Sequence, residues 1–154
     1  MHLRKRWTEL WQDERGSGAL EFIVGGVILL VPIVYLIVTL GQIQAQALGV
    51  EQAARHVARG VGTAAGADAA ESRADRVLDG IVAEYDIDPG AVSVELACVG
   101  AHTTCPEPGA TIRVTVSSEV ALPLVPPVLG LDELARVGVE ASAVQKVSRY
   151  WSEP

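Results

Sequence analysis

Gly16-Ser17-Gly18-Ala19-Leu20-Glu21-Phe22 opens an apolar run that continues through Ile23-Val24-Gly25-Gly26-Val27-Ile28-Leu29-Leu30-Val31-Pro32-Ile33-Val34-Tyr35-Leu36-Ile37-Val38-Thr39-Leu40. No charge interrupts it from Phe22 to Leu40. A helix of about 20 apolar residues crosses roughly 30 Å of hydrocarbon, so residues 22–40 read as a membrane span. Glu21 stands at its start. A carboxylate at the centre of such a helix costs about 2.5–3.5 kcal/mol and less near an end, which marks Glu21 as a functional residue. Pro32 lies inside the span, where it removes one backbone donor and frees the carbonyl of Ile28; a kink or local loosening is expected there. Gly25 and Gly26 weaken the same half of the helix or permit close packing against another one.

The order of features is a basic leader, Gly16, four residues, Glu21, the aromatic Phe22 and then the long apolar helix. This order resembles the class III signal of type IV pilin-like proteins. The detail, with Gly18-Ala19-Leu20-Glu21-Phe22 opening the helix and a small domain after it, is similar to the TadE-type pseudopilins of tight-adherence (Flp) pili. The resemblance implies that a prepilin peptidase cuts between Gly16 and Ser17 on the cytoplasmic side. Ser17 then becomes the first residue of the mature chain and Glu21 the fifth. It also implies that Glu21 and Phe22 serve assembly, and that the partners are other pilin-like subunits and the pilus assembly platform. The expected setting is a bacterial inner membrane, with incorporation into a pilus.

Charge agrees with an inside N-terminus. Arg4, Lys5 and Arg6 precede the span and few basic residues follow it closely, so the leader stays cytoplasmic and the chain beyond Leu40 lies outside. Leu3, Trp7, Leu10 and Trp11 recur at helical spacing, as suits a membrane interface; an unstructured leader is the competing reading. Residues 1–16 hold four basic and three acidic side chains, so the processed chain carries −8 where the whole carries −7. An acidic surface argues against nucleic acid as a partner. Two other fates fit the apolar block. It is longer than the usual 7–15 residues of a secretory signal, but Ala45-Gln46-Ala47 offers a signal-peptidase site that would release a domain beginning at Leu48. It also serves as an uncleaved anchor for an extracytoplasmic binding protein.

Past the span the helix continues. Leu40, Ile43, Ala47, Val50, Ala54, Val57 and Val61 alternate spacings of three and four, a narrow stripe rich in small residues. It packs on the chain's own domain, on a neighbouring subunit, or on both. Gln42, Gln46, Gln52, His56 and Arg59 lie largely off it. Gly60, Gly62 and Gly66 end the helix. The expected helix over residues 17–60 would be roughly 65 Å long at 1.5 Å per residue.

The remainder, residues 61–154, reads as one small extracytoplasmic domain. Asp68 and Glu71 resemble a capping box opening a second helix, with Ala70, Ala74, Val77, Ile81 and Tyr85 on its apolar face. Glu71, Asp75 and Asp79 form an acidic stripe one turn apart, a solvated face or a cation or partner contact. Asp86-Ile87-Asp88-Pro89-Gly90 ends that helix in a turn. Its two aspartates lack the ligand spacing of a calcium loop. Three strands follow. Val92, Val94 and Leu96, then Ile112, Val114 and Val116, then Val137, Val139, Ala141 and Ala143 alternate with polar or small residues, so each strand should bury one face and wet the other. Ala121 to Leu131 is an apolar, proline-rich connection that cannot be a central strand. It caps the core, lies on the bilayer or docks on a partner. A similar stretch precedes the last strand in the TadE-like family. The fold class is therefore α+β: a long N-terminal transmembrane helix, a short helix, and a small antiparallel sheet of about three strands.

The chain contains two cysteines, Cys98 and Cys105, both beyond the span. In an oxidising compartment they pair; otherwise they remain separate thiols. His102 lies between them, but Cys98, His102 and Cys105 do not have a standard zinc spacing. No phosphate loop, nucleophile elbow or paired histidine motif occurs in the sequence. The expectation is a protein without enzymatic activity, cofactor, metal or small-molecule substrate, which acts by assembly.

Overall fold

A computed structural model describes residues 14–100, 104–125, 128 and 130–152. The chain divides into two compact units at Thr39–Leu40. Helix α1 (Glu14–Gly62) runs through that division, with Pro32 inside it. In the first unit no other described element packs on α1. From Gly18 to Val38 its described side chains are exposed, apart from half-buried Tyr35. The leader, residues 1–13, lies outside the described residues.

The second unit is a two-layer α+β domain. It holds the rest of α1, helix α2 (Ala67–Glu84), a 3₁₀ turn (Pro89–Ala91), strand β1 (Ser93–Cys98), strand β2 (Thr111–Ala121), a short helix α3 (Leu131–Leu134) and strand β3 (Arg136–Lys146). The sheet is an antiparallel meander in the order β1-β2-β3. Its register pairs Val94 with Val116 and Leu96 with Val114 on one side of β2, and Val114 with Ala143 and Val116 with Ala141 on the other.

The core lies between the helices and β2. Ile112, Val114, Val116 and Val120 are buried along one face of β2, while Arg113 and Glu119 on the other face are exposed. The stripe on α1 answers them: Val50, Ala53, Ala54, Val57, Ala58 and Val61 are all buried. Ala70 and Ile81 of α2, with Ile87, Val147 and Trp151, complete the cluster. Each buried Val or Ile contributes about 1.5–3 kcal/mol, and the interleaved alanines let backbone and sheet come close. The stripe divides: Val50 onward belongs to the domain's own core, whereas Leu40 is exposed and Ile43 and Ala47 are only half-buried.

Three expectations change, and a fourth divides. Helix α1 ends at Gly62 rather than Gly60, because the next turn holds until Thr63 donates its amide and its hydroxyl to the Arg59 carbonyl. Helix α2 has no capping box: Gly66 is the N-cap, no side chain caps it, and Asp68 already lies inside the helix. Strand β1 is exposed on both faces up to half-buried Cys98. Val94 and Leu96 point to the core side, as their pairing partners do, but β1 is an edge with no further strand beside it among the described residues, and each stays 38% exposed. The apolar connection after β2 divides: Leu122, Pro123 and Val125 are half-buried, whereas Leu124, Val128 and Leu131 are exposed.

Close backbone approaches fix the helix positions. A Cβ on Gly49 would meet Tyr85 Cγ at 2.8 Å and Ile87 Cδ1 at 3.1 Å. The C-terminal segment ties down the α1–α2 turn: Ser148 donates its amide to the Gly62 carbonyl at 2.7 Å, and Ser152 donates its amide to that of Ala65 at 2.8 Å. Gly49→Ala should destabilise the domain by about 1–3 kcal/mol through overpacking. Gly80→Ala, in α2 where a Cβ meets nothing within 4 Å, should stabilise by up to about 1 kcal/mol. Chemical denaturation of the full chain in detergent, followed by circular dichroism, separates the two.

Candidate assembly interface

The sequence points to Gly16, Ser17, Glu21, Phe22 and Pro32, and all five lie on α1. Gly16 and Ser17 are within the helix, so position 17 stands one turn before Glu21. Glu21 is exposed and Phe22 is 82% exposed. The helix assignment continues unbroken through Pro32, which is also exposed. No polar surface relieves the apolar one over the following turns: Ile28, Leu29, Leu30, Leu36 and Ile37 are all exposed.

This helix is long and apolar enough to cross a membrane, and only 6% of its most apolar stretch is buried. A core helix of a water-soluble domain would be mostly buried. Such a surface is compatible with a single-pass membrane anchor near the N-terminus, and a signal helix shares these properties.

Cys98 and Cys105 form a disulfide, with Cα atoms 5.8 Å apart. It joins the end of β1 to the loop leading into β2, where Val99 donates its amide to the Thr111 carbonyl at 2.8 Å. Paired sulfurs are not thiolates, which removes the reading of Cys98, His102 and Cys105 as zinc ligands. His102 itself lies outside the described residues.

Among the described residues no group of three His, Cys, Asp or Glu side chains is arranged to hold a metal ion. A hollow of about 600 Å³ at one end of the sheet is lined by Asp88, Ser93, Ser117, Glu119, Arg136 and Glu140. Its chemistry is that of solvated polar surface. The Ser93 and Ser117 hydroxyls bond each other at 2.7 Å, and Arg136 meets Glu119 at 3.4 Å in an exposed pair of small energetic weight. The acidic stripe Glu71, Asp75 and Asp79 is exposed along α2.

Sequence reasoning missed the hollow between α2 and the β1 edge, because periodicity tells which side a residue faces and not whether a neighbour covers it. It also missed Trp151, which is buried although it follows the last strand. A tryptophan in an otherwise polar tail was the available signal.

No protein-family model, no curated protein and no solved structure matches this chain.

The disulfide closes a short loop, its two cysteines seven positions apart in sequence. On chain-entropy grounds it contributes about 2–3 kcal/mol. Non-reducing peptide mapping of protein purified from its native envelope should recover the Cys98 and Cys105 peptides joined. The double substitution Cys98→Ser with Cys105→Ser should lower stability by that amount. Two free thiols in the native envelope would exclude the pairing.

Proposed function

We propose that this chain is a minor-pseudopilin-like structural subunit of a bacterial tight-adherence pilus or secretion assembly. A prepilin peptidase processes it after Gly16, and it acts through its N-terminal helix and not through chemistry. The observation that carries the reading is a single helix that holds the Gly16–Ser17 junction, Glu21 and Phe22 together with an exposed apolar surface, followed by a small disulfide-linked domain. The residues that resemble the TadE-type opening support it. The setting that follows is the inner membrane, with the N-terminus in the cytoplasm and the domain outside. Other pilin-like subunits, the assembly platform and the prepilin peptidase are its partners.

In this mechanism Glu21 sets subunit register. Cleavage creates an ammonium at Ser17. On one helix it stands four residues from Glu21, within reach of attraction. Across two subunits the same groups meet at only one axial offset. Pairing offsets the cost of a carboxylate at the membrane edge. If Glu21 acted only through the helix dipole, it would contribute about 0.3–1 kcal/mol and have no part in assembly.

The mature N-terminus tests the processing step. Ser17 is expected; an intact leader would indicate an anchored binding protein, and Leu48 a released domain. Glu21→Gln keeps the shape and removes the charge. It should insert and be cut at Gly16, yet fail to incorporate into fibres or co-purify with its partners. Assembly at wild-type levels would sink the charge-pairing mechanism.

Pro32 is assigned to extraction of the helix from the bilayer. Pro32→Ala restores a backbone donor and should leave membrane levels normal while lowering assembly, measured by surface shearing against membrane fractions. Unchanged assembly would remove Pro32 from the mechanism.

A further inference from the structure

The two edges of the sheet differ. Strand β3 carries Arg136, Glu140 and Lys146 along its exposed face, the kind of charge placement that discourages pairing with another strand. Strand β1 has one charge, Glu95, in Ser93–Cys98. Its core-side residues Val94 and Leu96 are each 38% exposed. Val99 turns its amide to Thr111 of β2, so by alternation Val94 and Leu96 turn their N–H and C=O groups outward from the sheet.

Beside this edge lie two hollows that meet at Val94. One, of about 720 Å³, runs under α2 past Leu78, Val82, Ile87 and Val92. The other, of about 240 Å³, is lined by Val57, Ala70, Ala74, Leu96, Pro106 and Trp151. The floor is apolar. The rim is acidic: Glu71 borders the smaller hollow, and Asp75 and Asp79 border the larger. Arg73 does not neutralise them, because its guanidinium turns to the Thr63 carbonyl at 3.1 Å, toward the end of α1.

We propose that the β1 edge and the apolar hollow between it and α2 form a docking site for an extended, basic segment of a different protein chain. The visiting strand adds to the sheet beside β1. Its residues opposite Val94 and Leu96 are apolar and fill the hollow. A Lys or Arg opposite Glu95 reaches its carboxylate on the face away from α2, and basic residues flanking the apolar pair on the core-side face reach Asp75 and Asp79. Backbone hydrogen bonds give such a complex its affinity and alternate side chains its specificity. A second copy of this chain is a poor occupant, since pairing β1 with itself brings two acidic rims together. The inference concerns residues of the domain alone and does not depend on the pilin-like reading.

The test uses the full chain in zwitterionic nanodiscs and a fluorescent seven-residue peptide, Lys-Lys-Val-Lys-Val-Lys-Lys, capped at both ends; its two valines and its terminal lysines share the core-side face and its central lysine faces Glu95. Fluorescence anisotropy should show saturable binding that weakens with added salt. Asp75→Asn with Asp79→Asn should weaken it at least tenfold. Leu96→Pro removes an outward amide and an apolar contact at an edge position that tolerates proline, and should abolish it. If that variant fails to fold by circular dichroism, a peptide N-methylated on alternate amides carries the same test on the unaltered protein, and should not bind. Absence of saturable binding to the wild type would overturn the proposal. So would equal binding of the N-methylated peptide or of one with glutamate in place of lysine. A wild-type dimer in sedimentation that Leu96→Pro converts to monomer would overturn it in favour of self-association.

Discussion

The domain depends on one packing contact, the seating of the second half of α1 on β2. Val50, Val57 and Val61, with Ala53, Ala54 and Ala58, share one buried cluster with Ile112, Val114 and Val116. Small residues set the helix-to-sheet distance, and the distance sets everything attached to it. Gly49 must lack a side chain for Tyr85 and Ile87 to fit, and Gly62 must lack one for the Lys146 carbonyl to sit 3.0 Å from where a Cβ would be. The close approach therefore fixes both α2 and the end of β3 against α1.

The same helix carries two unlike surfaces in succession. From Val50 the stripe is satisfied inside the domain. From Leu20 to Val38 the apolar side chains have no partner among the described residues, and Leu, Ile and Val exposed all round a helix need lipid or other helices around them. The sequence separates the two by composition: the first stretch is apolar on every side, and the second mixes Val and Ala with Gln, Glu, Arg and His.

Much of this was legible in the sequence because it is periodic. Spacings of three and four gave α1 and its buried stripe, and alternation gave β2 and β3 with Ile112, Val114 and Val116 facing inward. What was not legible is long-range or negative. Asp68 and Glu71 have the spacing of a capping box, but the chain enters α2 through Gly66, whose neighbour Ser152 sits where a Cβ would point. The alternation of Val92, Val94 and Leu96 gave the facing of β1 correctly and its burial wrongly, since only topology reveals that β1 is an edge. For the proposed assembly residues the sequence supplied the positions Gly16, Ser17, Glu21 and Phe22, and the fold adds that one helix holds all four.

The unguarded β1 edge has a further property that follows from its ends. At one end the disulfide joins Cys98 to the loop that returns into β2. At the other, the Ser93 and Ser117 hydroxyls bond across the pair at 2.7 Å. A strand paired on one side only would otherwise fray, and fraying would blur the row of outward amides and carbonyls. Pinned at both ends, β1 holds Val94 and Leu96 in an extended line beside the hollow. The covalent link thus does more than close a loop: it limits fraying at one end of an edge strand, which lowers the ordering entropy that the proposed docking of another strand would cost.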